Sequence, residues 1–351
     1  MINIKPVSPQ ILNLIARIDE FKGKWTAGAQ LHPQVLKKLK ESTLITSTGA
    51  STRIEGSKLS DTDIEKLLKG ISIEKFADRD DQEVKGYFEL LNNVFNSWQD
   101  ISFNEGVIKN FHRELLKYVE KDRLHRGDYK ITENKVHMVN AAGESIGILF
   151  DTTPAYLTPS GMMDLISWTQ NSLKEKIHHP LLIIGTFLIH FLQIHPFQDG
   201  NGRLSRILTN LLLLKEGYTY IPYVSHEKII EDNKPEYYLT LRTGQKTLKG
   251  KNGDVSAWLL FFLKVILKQS EEAINLLSNE NMEKTLSQKQ LAVWEYLHKA
   301  KETTPLKIFQ ELTIPRRTIN QILDKLLKLK KIERIGMGRS TRYKVLDQTG
   351  L

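Results

Sequence analysis

The residues best suited to chemistry lie within twelve positions, His195-Pro196-Phe197-Gln198-Asp199-Gly200-Asn201-Gly202-Arg203-Leu204-Ser205-Arg206. His195 can accept and return a proton near neutral pH. Asp199 is a hard oxygen donor, suited to a Mg²⁺ ion shared with phosphates. Gly200, Asn201 and Gly202 allow the backbone to approach a ligand closely, with N–H groups turned into a concavity. Arg203 and Arg206 are three residues apart, so they share a helix turn and can clamp phosphate oxygens. Together these are the parts of a site for a nucleoside triphosphate.

Such a stretch must be held rigidly. An apolar segment, Leu181 to Ile194, precedes it, and another, Ile207 to Leu214, follows it. Both have helical length, so the polar residues form a tight loop between two buried helices. The loop runs into the first turn of the second helix, where the dipole favours phosphate. Gly217 closes that helix after Glu216. A zinc site built from His190, His195 and Asp199 has the wrong spacing for ligands on one helical face, and no cysteine is present to complete it. His178, His179 and His190 read as packing or solvent groups.

The pattern resembles the signature of the Fic family at each defining position: His195, Phe197, Asp199, Gly200-Asn201-Gly202, Arg203 and Arg206. The resemblance covers about residues 30 to 280. It implies a mainly α fold, a helical-bundle core with a β-hairpin flap, and transfer of AMP from ATP to a Ser, Thr or Tyr hydroxyl of a target protein and of the chain itself. In that reading His195 takes the hydroxyl proton and Asp199 holds Mg²⁺. Gly200, Asn201, Gly202 and Arg203 bind phosphates, Arg206 binds the terminal one, and Phe197 anchors the loop. A branch that transfers phosphate instead carries Lys at the second glycine; Gly202 argues against that chemistry here.

Upstream, Ser51-Thr52-Arg53-Ile54-Glu55-Gly56 reads as a helix C-terminus, with Gly56 free to take the left-handed cap. A carboxylate is unfavourable at that end of the dipole, so Glu55 has use for a cationic partner. Ser51, Glu55 and Gly56 resemble the inhibitory motif of many Fic proteins, which implies that Glu55 pairs with Arg206 and blocks productive seating of the γ-phosphate. Between Lys130 and Asp151 the apolar spacing shortens towards two, at Val136, Met138, Ile146, Ile148 and Phe150, with a turn candidate at Ala142-Gly143. This predicts a hairpin. By resemblance it is the flap, with Gly147, Ile148, Leu149 and Phe150 facing the nucleotide. The helix from about Lys234 carries Tyr237, Tyr238, Leu241 and Gln245. The resemblance places Tyr238 and Gln245 at the adenine, with Gln245 standing where the family has Asn.

The chain has 351 residues, no cysteine and a net charge of +9. Residues 283–346 hold 15 Lys/Arg against 6 Asp/Glu, and the remainder holds 35 of each, so the basic character belongs to one C-terminal module. The division expected is an N-terminal helical region over 1–70 with the inhibitory helix, a catalytic core over 71–278 and a C-terminal module over 284–346, after a polar linker at 279–286. In the module, helices over 288–299, 305–312 and 315–330 precede two strands, 331–335 and 341–345, the pattern of a winged helix-turn-helix. Thr313 is the cap candidate and Pro315 the first residue of its recognition helix. Arg316, Arg317 and Thr318 lie at the leading end of that helix, and Arg339 and Arg342 on the wing. The module fits DNA or a protein contact. Met1 to Gln10 lacks a signal-peptide pattern, and the longest apolar run is too short to span a bilayer, so a cytoplasmic protein without a membrane partner is expected. The alternatives are an enzyme that also removes AMP, with Glu55 orienting a water, and an ATP-sensing DNA-binding regulator. The oligomeric state stays open, with a homodimer among the outcomes.

Overall fold

The computed structural model describes residues 2, 4–28, 33–70, 79–139, 145–249, 253–285, 287–329, 331–336 and 341–346. The chain divides into two compact units, Met1–Asn275 and Leu276–Leu351. The first contains α1 (Pro9–Gly28), α2 (Pro33–Ile54), α3 (Asp61–Gly70), α4 (Arg79–Ser97), α5 (Glu105–Leu115), β1 (Lys135–Val139), β2 (Ser145–Asp151), α6 (Thr158–Glu175), α7 (Pro180–Ile194), α8 (Asn201–Lys215), α9 (His226–Asp232) and α10 (Lys234–Lys249). The boundary falls within α11 (Ser256–Thr285). Residues 279–285, expected as a polar linker, are therefore helical. They hold Glu, Met and Lys but no Gly or Pro, and extending an existing helix costs far less than starting one.

At the centre of the first unit lies α7. Twelve of its fifteen residues are buried, from Leu181 to Ile194, so it is apolar on every side and needs helices all around it. Pro180 opens it, and the His179 side chain accepts the Leu181 N–H at 3.3 Å. Next to it runs α8, also buried almost throughout, but with Arg203, Ser205, Arg206 and Asn210 among its buried residues. The C-terminal half of α2 covers that polar side. Ser47, Thr48, Gly49, Ala50, Ser51 and Thr52 are buried; of the apolar positions at helical spacing, Leu36, Leu39, Leu44 and Ile45, Leu44 is buried and the other three are half-buried. Small side chains let backbones come close. The hydroxyls of Thr48 and Thr52 bond back to the Leu44 and Thr48 carbonyls at 2.7 and 2.9 Å, so their burial leaves no orphan.

A second buried polar group fixes the helices behind the loop. Glu227, fully buried, accepts hydrogen bonds from Ser47 Oγ at 2.8 Å, Ser225 Oγ at 3.0 Å, Tyr87 Oη at 3.1 Å and Asn210 Nδ2 at 2.7 Å. Burial opposes its charge, but His226 and these donors hold its carboxyl below the ordinary value. It thus joins α2, α4, α8 and α9. Arg53 adds a bidentate pair to Glu231 on α9, with one arm at 3.1 Å, and reaches Asp61 at 2.9 Å.

β1 and β2 form the expected antiparallel hairpin, with Val136 opposite Phe150 and Met138 opposite Gly147. The turn candidate Ala142-Gly143 lies outside the described residues. Among the described residues, no helix is long and apolar enough to cross a membrane.

The second unit holds α12 (Gln288–Ala300), β3 (Glu302–Thr303), α13 (Pro305–Leu312), α14 (Arg316–Lys328), β4 (Ile332–Ile335) and β5 (Arg342–Val345). The strands form an antiparallel sheet in the order β3-β5-β4. β3 was not anticipated: two residues carry no periodicity, and the strand exists only through its pairing with β5. The core consists of Val293, Leu297, Ile308, Ile319, Leu323, Ile332 and their neighbours. Thr313 does not cap the following helix. It closes α13 in the left-handed region, at φ 54°, and Pro315 occupies the N-cap position of α14. Arg339 lies outside the described residues.

Candidate functional site

The twelve-residue stretch comprises the loop between α7 and α8, residues 195–200, and the start of α8, Asn201 to Arg206. His195 ends α7 in the left-handed region, at φ 52°, its N–H bonded to the Phe191 carbonyl at 2.9 Å. A non-glycine residue there costs about 1–3 kcal/mol, a strain that clusters at functional sites. The loop is closed by Asn201, whose Oδ1 accepts the Phe197 N–H at 2.9 Å and whose Nδ2 donates to the Phe197 carbonyl at 2.8 Å. Phe197 is fully buried and stacks on His112 with centroids 3.9 Å apart. Gly200, at φ 75°, then starts α8. The first bond of that helix runs from the Leu204 N–H to the Gly200 carbonyl, so the N–H groups of Asn201, Gly202 and Arg203 have no intrahelical partner. They form a ready anion cradle.

Asp199 borders the cradle. Its Oδ1 accepts the Gly200 N–H at 2.5 Å and lies 3.4 Å from Arg203 Nη2. The two arginines leave the helix towards different neighbours. Arg203 is buried, with Nη1 2.6 Å from the Glu83 carboxylate on α4. Arg206 is buried against α2: Nε donates to Ser51 Oγ at 2.8 Å, and Nη2 to the Ser51 carbonyl at 2.9 Å and to Glu55 Oε1 at 2.7 Å. Burial works against the Arg206 charge, but the Glu55 carboxylate holds its pKa above the ordinary value. Gly56, at φ 111°, terminates the helix that presents Glu55. A Cβ on Gly202 would fall 2.2 Å from Glu55 Oε1, so the glycine is what lets this carboxylate reach the cradle.

Burial lowers the His195 imidazole to about 4, with the Lys130 ammonium adding to the shift and a hydrogen bond with the Leu192 backbone opposing it. The ring is neutral at physiological pH and able to accept a proton. Lys130 had no signal in the sequence. It is buried, and its Nζ donates to Thr152 Oγ1 at 2.8 Å, Asn134 Oδ1 at 2.9 Å and the Ile194 carbonyl at 3.1 Å. Burial pushes it down to about 8. Asn134 Nδ2 also donates to the Phe197 carbonyl at 3.0 Å. The two ends of the hairpin are thereby tied to the loop that bears His195. His112 was likewise missed. Its Nδ1 accepts the Gly127 N–H at 2.9 Å, so Nε2 carries the proton and donates to the Asp199 carbonyl at 3.1 Å. A lysine, an asparagine and a histidine at ordinary spacing carry no motif; only their convergence marks them.

β2, which includes Gly147, Ile148, Leu149 and Phe150, runs alongside α10. On α10, Tyr237 is buried against Trp258 and Phe261. Tyr238 donates to the Ile54 carbonyl at 3.2 Å, at the end of α2. Gln245 is fully buried, and neither amide atom finds a hydrogen-bond partner among the described residues. A buried amide left in this state costs about 1–3 kcal/mol, which a bound ligand can recover. Among the described residues no group of three His, Cys, Asp or Glu side chains is placed to hold a metal ion.

Residues 102–213 match the model of the Fic/DOC family. The chain is 30% identical over 113 residues to the protein adenylyltransferase Fic of Aedes aegypti, covering 32% of this chain and 19% of that protein. It is 24% identical over 247 residues to the protein adenylyltransferase fic-1 of Caenorhabditis elegans, covering 69% of this chain and 43% of the relative. The chain thus spans less than half the length of both. Among solved structures, a Fic family protein from Desulfovibrio desulfuricans G20 superposes with a TM-score of 0.64 at 24% identity, over 99% of this chain and 98% of that one, a likeness of fold. The helix–loop–helix with its closed signature lies inside the matched segment, and the chain therefore carries a Fic/DOC family domain.

Proposed function

We propose that this chain transfers AMP from ATP to a hydroxyl side chain of a protein, itself included, and that Glu55 restrains the reaction. The observation that carries this reading is the Arg206–Glu55 contact at 2.7 Å, beside the anion cradle and a neutral His195. His195 takes the proton of the target hydroxyl as its oxygen attacks the α-phosphorus, and pyrophosphate leaves. The N–H groups of Asn201, Gly202 and Arg203 hold the phosphates, and Arg206 holds the terminal one once Glu55 lets go. Most of the rate then comes from positioning and charge neutralisation.

Asp199 is a single carboxylate at the rim of the cradle. That suits Mg²⁺, which binds through one or two carboxylates plus substrate phosphates rather than an all-protein cage. The ion would neutralise phosphate charge there.

Glu55→Gly tests the restraint. Intact mass after incubation with ATP and Mg²⁺ is expected to show an AMP-sized gain, accumulating at least about tenfold faster in Glu55→Gly than in the wild type, as expected when about 1.4 kcal/mol of competition for Arg206 is removed. Equal rates with ATP binding intact would remove Glu55 from the account. Loss of AMP from a premodified protein, stopped by the same substitution, would favour the reverse reaction.

Gln245 supplies the adenine contact in this reading, assisted by Tyr238 and by the β2 segment Gly147–Phe150. Gln245→Leu is expected to leave Tm unchanged or raised, because it removes an unsatisfied buried amide, and to raise the KM for ATP on the order of tenfold. A lowered Tm with an unchanged KM would make the amide structural.

A further inference from the structure

The second unit has a free face of defined chemistry. α13 and α14 are joined by the three residues Thr313, Ile314 and Pro315, with Ile314 buried in the core, the geometry of a helix-turn-helix. α14 is sharply two-sided. Ile319, Ile322, Leu323 and Leu326 face the core, and Arg316, Arg317, Asn320 and Gln321 are exposed at its leading half. None of these four exposed side chains makes a hydrogen bond or ion pair among the described residues. Three other long polar side chains of the unit are paired, Arg342 with Glu302 at 3.0 Å, Lys325 with Gln290 at 2.9 Å and Arg334 with Thr341 at 3.4 Å.

We infer that the second unit binds duplex DNA, with α14 in the major groove and the β4–β5 ribbon against the backbone. Three observations favour that partner. The excess of 15 Lys/Arg over 6 Asp/Glu in residues 283–346 complements a polyanion. The exposed end of α14 offers the side chains that pair with base edges, Arg with guanine and Asn or Gln with adenine. The face holds no aromatic residue, and single-stranded nucleic acid is gripped mainly by stacking on aromatic rings. Arg334, Arg342 and Lys344 on the ribbon are exposed and suited to phosphates. This inference does not depend on the nucleotide chemistry of the first unit.

The test is fluorescence anisotropy of the full chain with a labelled random duplex of about 24 base pairs. Saturable binding is expected, weakening at least roughly tenfold between about 50 and 200 mM salt. Arg316→Ala with Arg317→Ala should weaken it at least another tenfold or so at an unchanged Tm, since both side chains are solvent-exposed and unpaired. Asn320→Ala with Gln321→Ala should change the sequence selected from a randomised duplex pool. The inference is overturned by absence of binding at low salt, by affinity indifferent to the Arg316 and Arg317 substitutions, or by tighter binding to single-stranded DNA or RNA of the same length.

Discussion

His195→Ala, introduced into the Glu55→Gly variant, is expected to lower AMP transfer by about 10²- to 10⁴-fold while leaving ATP binding intact, the usual contribution of a positioned general base. The loop geometry separates the two roles. The phosphates meet backbone N–H groups at the start of α8, and Asn201 and Phe197 shape those groups independently of the His195 side chain. The imidazole stands at the end of α7 with its pKa lowered to about 4. A base acts in its neutral form, which is present above the pKa and lost below it. Transfer by Glu55→Gly should therefore hold level from about pH 8 to pH 6 and decline as pH falls towards the folded value. Initial rates from intact mass, beside a nucleotide-binding titration, decide the matter. A rate within tenfold of the parent would remove His195 from the chemistry. Lost ATP binding would mean that the substitution had damaged the cradle.

Glu227→Ala should destabilise the first unit by about 3–5 kcal/mol, the usual result of breaking a buried charged network. Tyr87, Asn210 and Ser47 would be left buried without their acceptor, and each such orphan costs about 1–3 kcal/mol. At roughly 2–4 °C per kcal/mol, the melting transition of this unit should fall by on the order of 10 °C. The isosteric Glu227→Gln, which keeps the volume and one acceptor oxygen, should cost much less. It also probes function. Ser47 lies one turn before Ser51 on α2, and Asn210 one turn after Arg206 on α8, so Glu227 fastens the two helices just behind the Arg206–Glu55 contact. Glu227→Gln should raise the basal rate of AMP transfer in the wild type and leave it unchanged in Glu55→Gly. Equal effects in both backgrounds would mean that Glu227 acts on the site and not through α2. A melting temperature unmoved by Glu227→Ala would show that the surrounding donors find other partners.

The sequence alone determined the parts whose logic is local. The buried helices α7 and α8, the loop between them, the glycines that shape the cradle and the left-handed end of α2 at Gly56 all follow from apolar periodicity and from backbone demands met within a few residues. Glu55, too, declared a need for a cation through its unfavourable place at a helix end. The same locality explains the errors. The helical continuation through 279–285 and the two-residue β3 were missed because one depends on propagation from α11 and the other on a partner forty residues away. Tertiary structure decided which side of α2 is buried. Periodicity pointed to Leu36, Leu39, Leu44 and Ile45, of which only Leu44 is buried; α8 presents Arg206, and the small Ser51 approaches and satisfies it, while Asn210 is met by Glu227. It also decided the partners of the two arginines, Glu83 for Arg203 and Ser51 with Glu55 for Arg206, and it assembled Lys130, Asn134 and His112 around the loop. None of these carries a signature, because a buried charge is stabilised by groups that converge in space from distant turns, and their separation in the chain is unconstrained.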